Sequence, residues 1–369
     1  MKKLLLTISG ILITNYFCAQ SMAAGMYHSL FLCKNKTVTA LGSNRNGELG
    51  NGTNMNTTTP VSLKSLQNVT AIAAGQYHSL FLKSDSTVWA CGGNPNGELG
   101  DLTFIDRPKP VQLSTLKGVC MIDAGNLHSL FLKRDGTVWT TGSNYYGALG
   151  DGTNTKSNVP LKVGTLEKIV AIAGGGEHSL FLKNDGTVWA CGRNYNGQLG
   201  TATQNLSEAT PVKIPISGVI AISAGESHCL FLKNDGTVWG CGSNGAGQLG
   251  NGTTKSTATP IKVSDISDIV AIKARGAHSL FLKKDGTVWV CGWNVYGQLG
   301  DSTTINKSVP FQVSGLSDII EIAAGPKNSF FMKKGGQIIG CGYNPYGQLG
   351  DGTTVDKTIP VQSKDFFCK

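Results

Sequence analysis

Six histidines, every one in the chain, stand 50 residues apart at His28, His78, His128, His178, His228 and His278, with Asn328 in the seventh place. Five of them precede a serine (Ser29, Ser79, Ser129, Ser179, Ser279). Imidazoles in such number suggest zinc, and imidazoles beside hydroxyls suggest acyl transfer. Both chemistries need convergence. Zinc takes nitrogens at about 2 Å from one point, and a serine nucleophile needs a base and an orienting acid beside it. Residues at a constant spacing of 50 belong to separate copies of one unit, which holds them apart like spokes. They read as structural imidazoles, each fixing a turn, in a chain with no metal, no cofactor and no catalytic group. The loops after each Leu-Gly, such as Asp151-Gly152-Thr153-Asn154, offer at most one carboxylate, and Asn51, Thr201 and Asn251 replace it elsewhere. Calcium wants six to eight oxygens with several carboxylates.

The unit that positions these residues runs without insertion from residue 23 to 350, and Leu-Gly recurs from Leu49-Gly50 to Leu349-Gly350. A period of this size marks stacked copies of one supersecondary unit that cannot bury its apolar faces alone. In residues 169–213, a short strand at Ile169 to Ala173 precedes a hairpin, His178 to Lys183 and Thr187 to Cys191, whose Asp185-Gly186 pair predicts a two-residue turn. A fourth strand near Pro211-Val212-Lys213 tolerates proline as an outer edge. Segments such as Leu180-Phe181-Leu182, apolar on both faces, suit sheets sandwiched between neighbours, and Trp89, Trp139, Trp189, Trp239 and Trp289 read as wedge core. The expectation is an all-β, seven-bladed β-propeller with four antiparallel strands in each 50-residue blade.

The stretch Ala173-Gly174-Gly175-Gly176-Glu177-His178-Ser179-Leu180-Phe181-Leu182, then Asp185-Gly186-Thr187-Val188-Trp189, Cys191-Gly192-Arg193-Asn194 and Gly197-Gln198-Leu199-Gly200, resembles the regulator of chromosome condensation repeat in all seven units. The resemblance implies a seven-bladed propeller. Eukaryotic members include a nuclear nucleotide exchange factor that binds chromatin and a tryptophan-based photoreceptor, but this chain has no inserted wedge and begins with an export signal. In character it is similar to secreted bacterial members that inhibit β-lactamases through one face.

That signal is Lys2-Lys3, an apolar run from Leu4 to Ile13, and a small-residue region, which together read as a signal peptide over 1–19. Cleavage before Gln20 leaves 350 residues, seven whole periods, as one domain over 20–369 whose first inner strand begins at Gln20 to Ala23. The protein is then expected outside the cytoplasm, secreted or periplasmic, where disulfides form, with no membrane-spanning run. Cys91, Cys191, Cys241, Cys291 and Cys341 share one register and Cys120 stands where other blades have Val or Ile, so all six read as buried small residues. Cys229 is placed opposite Gly242, which would aim it away from Cys241. The remaining pair, Cys33 and Cys368, meets if the tail returns to the first blade, and is expected to form a disulfide.

Strand order puts the Gly-x-x-His turns and the Gly-x-Asn-x-x-Gly loops on one face. Eight of the nine tyrosines (Tyr27, Tyr77, Tyr145, Tyr146, Tyr195, Tyr296, Tyr343, Tyr346) and the extra Trp293 fall at variable positions there. Tyr and Trp give large contact area at low entropic cost. This face is expected to bind another protein, without catalysis, by a monomeric molecule. The alternative within binding is inhibition of a secreted or periplasmic enzyme of the β-lactamase type. The opposite face collects Lys83, Lys133, Arg134, Lys183, Lys233, Lys283, Lys284, Lys333 and Lys334, and Lys2 and Lys3 account for only two of the nine net positive charges. A basic ring of this kind suits an anionic surface polymer or nucleic acid.

Overall fold

The computed structural model describes residues 21–164 and 166–364. The segment assigned to the signal peptide, Gln20 and Cys368 lie outside those residues. The chain forms seven four-stranded antiparallel sheets, each from four consecutive strands. Blade 4 comprises Ile169–Gly174, His178–Lys183, Val188–Arg193 and Ser207–Lys213, running from the axis outward. In blade 1 the inner strand is Met22–Ala24. The cores lie between blades: Leu180, Val188 and Leu199 of blade 4 pack with Phe231 and Cys241 of blade 5. The last blade meets the first through Met22, Phe31 and Leu41 against Ala323, Phe330 and Leu349, with the Phe31 and Phe330 rings edge to face at 5.5 Å. Among the described residues no strand is shared across this seam. Glu321 of blade 7 instead accepts the backbone N–H of Ser21 at 2.9 Å and the Ser21 hydroxyl.

Three sequence expectations change. The hairpin turn holds three residues rather than two: Lys183 N–H donates to Thr187 O, and Gly186 N–H donates back to Lys183 O. Asp185 accepts from both the N–H and hydroxyl of Thr187, at 2.9 and 2.6 Å, so only Gly186 must be left-handed, at φ +78°. Cys229 lies directly opposite Cys241, not Gly242; the longer turn shifts the register by one, which in a strand moves a side chain to the other face. Both thiols are free and share Gln198 O as acceptor, at 3.1 and 3.6 Å. Cys120 is exposed, since it occupies the bulge at which the inner strand slips against its neighbour.

Candidate functional site

Five of the histidines pack over the glycine of their own turn, as at Gly75, where a Cβ would fall 2.1 Å from the His78 ring. The ring then reaches the next blade. Nε2 of His28, His78, His128, His228 and His278 lies 2.9 to 3.0 Å from the hydroxyl of Ser79, Ser129, Ser179, Ser279 and Ser329, and His178 lies 3.1 Å from Cys229 Sγ. Ser79 donates its own proton to Glu48 O at 2.7 Å, so the His28 Nε2–H is the donor to the serine. Burial pushes His28, His78, His128 and His228 down to about 3, helped by Arg275 at the first three and by neighbouring histidines at His78, His128 and His228. Burial alone lowers His178 to about 4, and it is the main cause at His278, also about 4. Beyond holding a turn, the ring therefore clamps neighbouring blades. The seventh clamp is missing: Asn328 and the Ser29 hydroxyl are buried without partners. Asn328→His is expected to restore it and raise stability by about 1 kcal/mol, the net worth of one hydrogen bond. The urea midpoint at pH 8, where histidine is neutral in both states, measures this, and an unchanged midpoint refutes it.

The tyrosines and Trp293 stand on loops fixed from beneath. Buried Asn144 accepts Leu149 N–H at 2.9 Å and donates to Asp151 at 3.1 Å and Thr153 O at 3.0 Å, stapling the loop that carries Tyr145 and Tyr146. The Asp oxygens of these loops are thus used internally, and Lys307 and Lys357 pair with Asp301 and Asp351 at 3.2 and 3.1 Å. Gln298 and Gln348 accept the N–H of Tyr296 and Tyr346, at 3.0 and 3.1 Å.

The structure sorts these aromatics into two groups. On blades 3 and 4, Tyr146 meets Tyr145 at 4.8 Å and Tyr195 at 5.7 Å. Arg193 lies over Tyr146 and Tyr195 and pairs with Glu177 at 2.8 Å. On blades 6, 7, 1 and 2, a chain of contacts runs Trp293, Tyr296, Tyr343, Tyr27, with Tyr346 and Tyr77 beside Tyr27. At its centre the Lys327 ammonium sits 5.2, 5.2 and 4.8 Å from the Tyr27, Tyr296 and Tyr343 centroids. Burial pushes the Tyr343 phenol up. Blade 5 carries Gly245 and Ala246 at these loop positions.

On the opposite face the lysines are less available than their spacing suggests. Lys83, Lys133, Lys183, Lys233 and Lys283 lie over Trp89, Trp139, Trp189, Trp239 and Trp289 at 5.1 to 5.7 Å. Those indoles are half-buried between blades. Arg134 donates to Ser86 at 2.9 Å, and Lys283 and Lys284 line a shallow recess with Asp268 and Asp285. Lys333 and Lys334 directly precede Gly335-Gly336 in the hairpin turn of blade 7.

Sequence reasoning passed over Arg275. It stands where six blades have the turn glycine, and its buried guanidinium crosses to the far blades, donating to Ala124 O at 2.6 Å, Ala74 O at 3.1 Å and Gly125 O and Gly174 O at 3.3 Å. Burial lowers its pKa, and the charges of Asp123 and Glu226 oppose that. The break in the glycine column was the available signal. Lys327, Arg193 and Arg45, the last 5.9 Å over Tyr346, were also departures from the repeat.

Cys33 is disulfide-bonded; the other seven described cysteines are free, and Cys368, its expected partner, lies outside the described residues. Among the described residues no helix is long and apolar enough to cross a membrane, and no group of three or more His, Cys, Asp or Glu could hold a metal ion.

The RCC1-like domain matches residues 96–367, and the regulator of chromosome condensation (RCC1) repeat matches residues 38–82 and 69–98. No curated protein matches. Among solved structures, the fold is similar to a chain in the crystal structure of Kap60 bound to yeast RCC1 (Prp20), with TM-score 0.82, 23% identity, and 99% of this chain and 92% of that one covered. It is also similar to Prp20p from Saccharomyces cerevisiae, described with its binding properties to Gsp1p and histones (0.79, 24%, 92% and 88%), and to human WBSCR16 (0.78, 24%, 89% and 94%).

Proposed function

The chain belongs to the RCC1-like domain family, and from that premise we propose that it is an exported, monomeric, non-catalytic propeller that binds another protein through its tyrosine-rich face. The observation that carries this reading is the gathering of Trp293 and the eight tyrosines onto one face, where Tyr145 and Tyr195 are 74% and 51% exposed. Side chains at the fixed period serve the wheel, whereas these occupy its variable positions. The yeast relative Prp20 supports the partner class, since it was solved bound to Kap60 and is described with its binding properties to Gsp1p and histones. A secreted or periplasmic enzyme of the β-lactamase type is the narrower partner we propose. A polymer-binding basic face is the weaker reading, because five of its lysines already lie on indole rings. Such binding would fall steeply with salt.

Alanine at Tyr146, Trp293 or Tyr343 is expected to weaken partner binding by about 2 kcal/mol where the residue is a true anchor. Comparing wild type with the triple variant against envelope and secreted fractions, then titrating the captured protein, checks this. Equal binding by the two would refute the face assignment. We also propose that Cys33 pairs with Cys368 to clasp the ring; peptide mapping that joins Cys33 to another cysteine removes the clasp.

A further inference from the structure

Taking the tyrosine-rich face as the binding surface, on which this inference rests, we infer that its working sector is blades 6, 7, 1 and 2, and that it receives a protein segment presenting a carboxylate between apolar side chains, with the carboxylate on Lys327. Two independent asymmetries locate the sector. The first is aromatic: six rings in continuous contact run from Trp293 to Tyr77. The second is aliphatic. At one rim position these same blades expose Ile305, Val355, Met55 and Ile105 by 62 to 75%, where blades 3, 4 and 5 have Thr155, Asn205 and Lys255. Exposed apolar surface concentrated on four adjacent blades, while the others are polar at the same register, marks an interaction surface rather than scattered residues.

Charge then defines the occupant. Of the sector's carboxylates, Asp101, Asp301 and Asp351 are already paired with Arg107, Lys307 and Lys357, while Asp106, Asp356, Glu48 and Glu98 accept backbone N–H groups of their own loops, from Asn94, Asn344, Asn46 and Asn96. Lys327 forms no ion pair among the described residues; three tyrosine faces hold its ammonium in place. A cation fixed by aromatic walls loses little freedom on binding, and once apolar contacts exclude water its attraction for an anion strengthens. A polyanion would need a row of free cations, whereas Arg107, Lys307 and Lys357 are tied to their own aspartates and the aromatic cluster itself holds Lys327 and Arg45.

A displayed library of disulfide-constrained loop peptides, selected in parallel on wild type, Lys327→Met and Lys327→Glu, tests this. Wild type should enrich Asp or Glu beside aromatic or aliphatic residues. Lys327→Met should keep the apolar preference, lose the acidic one and bind a wild-type-selected peptide about ten-fold more weakly, and Lys327→Glu should enrich Lys or Arg. Selected peptides that lose affinity for Trp293→Ala yet show no acidic enrichment overturn this inference and leave the face assignment standing. Peptides that bind the Tyr146/Trp293/Tyr343 triple alanine variant undiminished overturn the face assignment itself. Polyglutamate binding as tightly as the peptides, or a wild-type dimer in sedimentation that Lys327→Glu dissociates, would replace the inferred occupant.

Discussion

Lowering the pH from 7 to 5 is expected to remove on the order of 10 kcal/mol of folding free energy, comparable to the whole stability of a typical domain. Six imidazoles are buried and neutral, with pKa values of about 3 to 4 against an ordinary 6.5. The unfolded chain therefore takes up protons as the pH falls through 6.5, while the folded chain refuses them until far lower. The stability contributed by each histidine is intact above 6.5 and drains as pH falls toward the folded value, by about 2 kcal/mol per site at pH 5. Carboxylates act in a lower window. Thr87 and its counterparts hold Asp85, Asp135, Asp185, Asp235 and Asp285 below their usual value, so their contribution is lost only in stronger acid. Burial raises Glu48, Glu98 and Asp123, which favours the folded state as they protonate, but three carboxylates cannot offset six histidines.

Urea denaturation from pH 8 to 5 gives the number of protons bound on unfolding from the slope, expected to approach six near pH 5. His128→Asn, copying the side chain found at Asn328, should lower that count by one while costing stability at pH 8. A flat profile between pH 7 and 5, or an unchanged slope in the variant, would show that these rings are not sealed from solvent.

The wheel was legible because a 50-residue period declares its architecture before any strand is assigned. What the period hides is whatever one copy does to another. The serine, or for His178 the Cys229 thiol, that meets each imidazole lies 51 positions on, in the next blade, so a reading confined to one unit sees a turn and misses the clamp. Turn length was misjudged by one because Asp-Gly suits a two-residue hairpin, whereas Lys36 and Ser86, with φ of 64° and 66°, hold the glycine's place in blades 1 and 2. That single residue moved Cys229 opposite Cys241. The aromatics were legible as departures from the repeat. Their division between Arg193 and Lys327 was not, because Tyr27 reaches Tyr343 only once blade 1 has closed on blade 7.

Arg275 is where these lines meet, and replacing it should separate two roles. Arg275→Met keeps an apolar chain along the same path but donates nothing, so it leaves four inward carbonyls without this donor, and is expected to cost about 3 kcal/mol. Arg275→Gly restores the residue of the other six blades and opens the axis to water, which can hydrate those carbonyls, so its loss should be smaller, about 1 kcal/mol. The order of the two, read from denaturation midpoints at pH 8, decides the matter. If hydrogen bonding across the axis ties blade 6 to blades 2, 3 and 4, methionine is the worse substitute. A methionine variant as stable as wild type would instead mean that burying the guanidinium costs as much as its bonds return, and that the wheel is held by the packing between its blades alone.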